Sequence, residues 1–136
     1  HVTDGLRGGS VTLMGAALLS CGHRAMDTFE TTAQVEPAAA EEVMVARDVR
    51  IAESTGGRLH LASLSTAKSL EQVRSAKRTG LEVSCDVAPH HFVLTDEDVA
   101  ASTYDPTFKT RPPLRPTADV EAVLQAIYDG TVDAVS

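Results

Sequence analysis

His90 and His91 stand side by side, four residues beyond an acid, Asp86. Neutral imidazole and carboxylate both suit zinc, so an acid followed closely by two histidines can build a metal site. The competing reading is geometric. Adjacent side chains in an extended segment point apart, so at most one histidine would face a given ion while the other braces the backbone. Asp86 also has two readings. It is the last polar residue on the polar face of an alternating stretch, a place for a site acid or for an ordinary acid paired with Arg or Lys. His60 lies between Leu59 and Leu61, and a lone mid-strand histidine is more often packed and hydrogen-bonded than a ligand. Phe108-Lys109-Thr110-Arg111-Pro112-Pro113-Leu114-Arg115 is stiff and basic. Its cations could hold a substrate carboxylate, an arginine by a two-pronged contact; the alternative is a rigid connector with solvated charges.

The elements that must position these residues alternate in type. Glycines at 5, 8, 9, 15 and 22 break any period, so residues 1–36 read as an irregular loop region with a short helix near Leu13 to Ser20. Pro37 opens a helix with Glu41 and Glu42 in its first turn, Val45, Val49 and Ala52 at helical spacing, and Gly56-Gly57 as its stop. Residues 58–63 read as a strand, and 67–78 as a helix with Leu70, Val73 and Ala76 on one face and Gly80 beyond its end. Along 81–87, Leu81, Val83, Cys85 and Val87 alternate with Glu82, Ser84 and Asp86. Residues 89–116 read as mostly irregular, with a short helix after Thr95. A last helix capped by Thr117 carries Val120, Val123, Leu124 and Ile127, and a final apolar run gives one more strand. Strands alternating with helices predict an α/β fold of parallel βαβ units over 37–136, with chemistry at the C-terminal strand ends. The first strand leads there into Ser63-Leu64-Ser65-Thr66, the second into Val87-Ala88-Pro89-His90-His91.

Composition narrows the function. The 136 residues are 43% hydrophobic and 23% charged, with a net charge of −7. Scattered basic residues in an acidic chain argue against nucleic acid and anionic membrane as partners. Cys21 and Cys85 make neither a disulfide framework nor a cysteine-rich metal site, which suits a reducing cytoplasm. There is no Gly-x-Gly-x-x-Gly or phosphate-loop motif. The chain begins at His1 and ends on the β-prone run 131–136, and both ends read as cut from a longer protein.

Several motifs together resemble the later part of bacterial-type dihydroorotases, members of the amidohydrolase superfamily. They are Ala40-Glu41-Glu42-Val43-Met44-Val45-Ala46-Arg47-Asp48, Leu64-Ser65-Thr66-Ala67 and Pro89-His90-His91-Phe92-Val93-Leu94-Thr95-Asp96. Tyr104-Asp105, Phe108-Lys109, Pro112-Pro113-Leu114-Arg115 and Asp129-Gly130-Thr131-Val132-Asp133-Ala134 continue the series, and His1-Val2-Thr3-Asp4 looks like the family's His-x-x-Asp segment. The resemblance implies part of a (β/α)8 TIM barrel, roughly strands five to eight, with one or two zinc ions. It implies reversible ring closure of N-carbamoyl-aspartate to dihydroorotate by metal-activated hydroxide, in pyrimidine synthesis. His1 matches a metal ligand. Asp86 stands where a metal-site Glu is usual, and Ser63 where a ligand His is usual. Arg111 stands where many members place a substrate-contacting Asn, with Pro112 beside it; the catalytic Asp would follow Ser136. His60 and Ser63 differ by an odd number, so a regular strand puts them on opposite faces and His60 cannot replace the missing ligand. The implied partners are a small-molecule substrate and aspartate transcarbamoylase, and the full-length protein is expected to be a homo-oligomer. Two alternatives remain: a non-catalytic dihydroorotase-like scaffold for that transcarbamoylase, and a hydantoinase or allantoinase relative. The isolated segment is expected to be inactive.

Overall fold

The computed structural model describes residues 10–14, 37–103 and 105–136, with side chains from residue 37 onward. Strand β1, Ser10–Met14, opens it. This corrects the reading of 1–36 as irregular and of Leu13 as the start of a helix. Ser-Val-Thr-Leu-Met carries two β-branched residues in an alternating pattern, which the surrounding glycines hide from a longer window. His1, Cys21 and Tyr104 lie outside the described residues.

Helix α1 spans Ala38–Thr55 behind Pro37, whose missing N–H costs nothing ahead of the first turn. It ends where Gly56 turns left-handed at φ 65° and its N–H reaches Ala52 O at 2.9 Å. Its buried stripe is Glu41, Val45, Asp48 and Ala52. Two of those four are acids, and the first of them matters below. Strand β2 is Arg58–Ala62. Helix α2, Ala67–Arg78, is capped by Thr66, whose side chain accepts from Ser69 N–H, and closes on Lys77 and Arg78 at its negative end.

Strand β3 is Val83–Val87, two residues shorter than the alternation. Two short helices follow, α3 at His90–Val93 and α4 at Asp96–Ala101. Thr95 and Asp98 form a reciprocal capping box at the start of α4. A 3-10 turn at Pro106–Phe108 precedes α5, Thr117–Tyr128. Pro116, not Thr117, holds its cap position. Strand β4 is Ala134–Val135.

The four strands form one parallel sheet in the order β1-β2-β3-β4, as the alternation of strands and helices requires. Its two faces differ. Leu59, Leu61, Val83, Cys85 and Val87 are buried against Val45, Ala52, Leu70, Val73, Ala76, Val123 and Ala126 of α1, α2 and α5. The opposite face carries Arg58, His60, Ala62, Glu82, Ser84 and Asp86, and of these only Asp86 is buried. Polar ties fix the frame at the other end of the strands. Lys77 Nζ donates to Thr131 O and Asp133 Oδ2, and Arg74 Nη2 reaches Asp129 Oδ2 at 2.7 Å. Asp133 Oδ2 in turn accepts the Cys85 N–H, which sets where β4 begins beside β3.

Candidate functional site at the strand ends

Asp86 is the meeting point of three strands. Its Oδ1 accepts the Ser63 N–H at 2.7 Å and the Ser136 hydroxyl at 2.9 Å; its Oδ2 lies 3.0 Å from His60 Nε2. A carboxylate can only accept, so Nε2 carries the proton, and in the neutral ring Nδ1 accepts from Ser84 Oγ at 2.8 Å. His60 is therefore packed and hydrogen-bonded, as expected for a lone strand histidine, and its partner is the site acid itself. Burial pushes the Asp86 carboxyl up. Hydrogen bonds from Ser63, His60 and Ser136 outweigh burial and hold it below its ordinary value.

The parity argument for Ser63 does not apply as stated, because β2 ends at Ala62. Ser63 itself is left-handed at φ 56°, which turns its N–H toward Asp86. Both His60 and Ser63 thus reach the same carboxylate, one by its ring and one by its backbone. Serine, unlike glycine, gives no sequence signal for this conformation.

The two histidines sit in α3, not in extended backbone, so the expectation that they point apart fails. Their rings meet edge to face with centroids 4.2 Å apart. His91 is almost fully enclosed, and its Nε2 donates to Pro112 O at 3.0 Å. His91 Nδ1, His90 Nε2 and Thr110 Oγ1 are buried with no hydrogen-bond partner among the described residues. Burial lowers the pKa of both rings and keeps them neutral. Arg111 is exposed at the head of a buried run, Pro112 to Arg115, and its peptide to Pro112 is cis.

A second buried carboxylate was not evident from sequence. Glu41 in the first turn of α1 accepts from the backbone N–H of Ser65 and Thr66, from Thr66 Oγ1 and from Ser65 Oγ. Arg115 lies beside it, with Nε 3.0 Å from Ser65 Oγ and Nη2 3.6 Å from Glu41 Oε2. The first-turn acid was legible as a dipole partner of its own helix; in the structure its carboxylate serves the start of α2. The partners lie 24 and more residues away, beyond any local pattern.

No family model matches the chain. A curated dihydroorotase of Anaeromyxobacter dehalogenans strain 2CP-1 is 53% identical over 100 residues, which are 74% of this chain and 23% of that protein. The chain belongs to the dihydroorotase family. It spans about a quarter of the length of the curated dihydroorotases it matches. Among solved structures, a D-hydantoinase (dihydropyrimidinase) from Thermus sp. superposes with TM-score 0.67 at 25% identity, over 74% of this chain and 22% of that one. The inactive dihydroorotase-like domain of a Chaetomium thermophilum CAD-like multifunctional protein superposes with TM-score 0.55 at 22% identity, over 68% of this chain and 24% of that one. The described α/β fold is shared with these dihydroorotase and hydantoinase relatives.

Family membership raises the question of zinc. Among the described residues, no three His, Cys, Asp or Glu side chains converge on a metal-sized site. Ser63 presents a hydroxyl, a poor zinc ligand, and Asp86 has both oxygens engaged in hydrogen bonds. The described residues by themselves do not fit the ion.

Proposed function

We propose that this chain is the portion of a dihydroorotase barrel running through roughly strands five to eight. We propose also that the protein it belongs to interconverts N-carbamoyl-aspartate and dihydroorotate. The 53% identity to a curated dihydroorotase carries the reading. The parallel sheet supports it, because Asp86, Ser63 and Ser136 meet at the C-terminal strand ends, where barrel enzymes keep their sites. In this reading Arg111 is the exposed lip that meets a substrate carboxylate, with the guanidinium as a two-pronged hook and the buried Pro112 beside it. Zinc, as one or two ions, takes its ligands largely from residues outside the described ones, His1 among them, with Asp86 at its edge. The whole protein works on a small molecule in the cytoplasm as a homo-oligomer, with aspartate transcarbamoylase as its partner.

The test measures dihydroorotate ring opening by the 136-residue chain and by the full protein that contains it. The full protein is expected to turn over substrate and the chain alone to be silent. A full protein that binds zinc and leaves both dihydroorotate and carbamoyl-aspartate untouched would sink the reading. A second reading, a non-catalytic scaffold, is favoured by one observation: Ser63 and the saturated Asp86 leave the β2–β3 strand ends self-contained. Metal analysis of the full protein and of Ser63→His separates the two. Stoichiometric zinc in the unaltered protein supports the enzyme; zinc gained only by Ser63→His supports the scaffold.

A further inference from the structure

Ser63 and Arg111 belong to different strand-end loops, and the structure joins those loops through one buried hydroxyl. Ser65 Oγ donates to Glu41 and accepts from Arg115 Nε at 3.0 Å. Ser65 and Thr66 are fully enclosed, and Glu41 and Arg115 are nearly so. Glu41 spends both carboxylate oxygens on the turn that follows Ser63. Arg115 ends the run that Arg111 begins. That run is held at two further points: His91 Nε2 donates to Pro112 O, and Asp96 N–H donates to Arg115 O at 3.1 Å. Two consecutive prolines, the first of them at a clamp, leave few backbone states to sample. Arg111 is thus the exposed tip of a segment whose base is registered, through Arg115 and Ser65, to the turn after β2.

We propose that Arg115, Ser65 and Glu41 are positioning residues that couple the Ser63–Thr66 turn to the Arg111–Arg115 segment, so that the placement of Arg111 depends on the β2 strand end. The proposal rests on the dihydroorotase reading only for what Arg111 would meet. The coupling itself belongs to the chain. A cluster that merely added stability would act on the whole molecule. A coupler acts on two loops at once and reaches each from the far side.

The experiment is hydrogen exchange by mass spectrometry on the full protein, with Glu41→Gln, Ser65→Ala and Arg115→Lys. Glu41 bonds the 65–66 turn directly, so the informative peptide in Glu41→Gln is 111–115, read at the Leu114 and Arg115 amides because Pro112 and Pro113 carry none. For Arg115→Lys it is 63–66. Each is expected to exchange about tenfold faster, the scale of one net hydrogen bond, while α5 and β3 keep their rates. Ser65→Ala, the mildest change, is expected to loosen both peptides together. Acceleration of the near peptide alone, or of α5 and β3 equally, overturns the coupling. On the proposed reaction, Arg115→Lys is expected to raise KM for carbamoyl-aspartate more than it lowers kcat. Coupled exchange with no turnover in the unaltered protein would keep the coupling and discard the reaction.

Discussion

Asp86 and Glu41 are both buried carboxylates beside the Ser63–Thr66 turn, and they are held in different ways. Asp86 takes a backbone N–H, a serine hydroxyl and a histidine ring. Glu41 takes two backbone N–H groups and two hydroxyls, with an arginine alongside. The first joins the ends of three strands, and the second sets a turn against a guanidinium. The pair near Asp86 therefore suits a strand-end site, and the pair near Glu41 suits its foundation.

Removing the cation from the second pair is the most damaging way to test this. Arg115→Met leaves Glu41 enclosed without its counter-charge, a loss of about 3–5 kcal/mol when a buried pair is broken from one side. Denaturant unfolding measures it. Replacing Glu41 and Arg115 together with apolar residues is expected to recover much of the loss, because no uncompensated charge remains. If Arg115→Met unfolds at the same midpoint as the parent, the foundation reading of this pair fails.

Asp86→Asn tests the first pair at a smaller scale. It keeps the shape but turns one acceptor into a donor facing Ser63 N–H, Ser136 or His60, and a mispaired buried group costs about 1–3 kcal/mol. The cost should depend on pH. The folded pKa of Asp86 lies below its ordinary value, so its contribution is fully present above an unfolded carboxyl pKa of about 3.9 and fades as pH falls through the folded value. The gap between parent and Asp86→Asn is therefore expected to be constant near neutrality and to shrink in acid. A gap that widens in acid would reverse the assigned sign.

His91 adds an earlier step. Its folded pKa is depressed by burial, so the neutral ring's contribution is present above about 6.5 and is lost as pH falls through the folded value. The physical reason is visible: Nε2–H already donates to Pro112 O, and a second proton would sit on Nδ1, which has no partner among the described residues. His90 is depressed in the same way, so His91→Gln is expected to shrink this higher acid step in the stability profile while leaving the Asp86 step in place. An upper step of unchanged size would assign it to another group.

What the sequence made legible was local. The bounds of α2, the alternation of β3 and a short helix after Thr95 follow from propensity and period over a few neighbouring residues. The parallel order followed from alternating elements, and the family from motifs in series. What stayed hidden was long-range or disguised. Glu41 meets Ser65 across 24 residues, and Arg115 meets Ser65 across 50. Strand β1 lay among glycines that mimic a loop. Asp86 and His60 read separately in the sequence, although Asp86 lies two residues beyond Ser84, the β3 partner of His60, on the same face.

Ser63 gives the smallest effect and the sharpest separation of the two carboxylates. Its left-handed backbone costs a side-chain-bearing residue about 1–2 kcal/mol relative to right-handed conformations, a penalty glycine does not carry. Ser63→Gly removes that strain and keeps the N–H that Asp86 accepts, but it also gives the unfolded chain more freedom to lose. The two changes oppose each other, and a net gain of about 0.5 kcal/mol is expected. Ser63→Pro deletes the same N–H and forces φ negative, so it should lose stability. Its loss should shrink when Asp86→Asn is combined with it, because both act on one hydrogen bond, and should shrink less with Arg115→Met, which reaches this turn only through Ser65 and Glu41. Full additivity with Asp86→Asn would mean that the Ser63 backbone is held by something other than the carboxylate it faces.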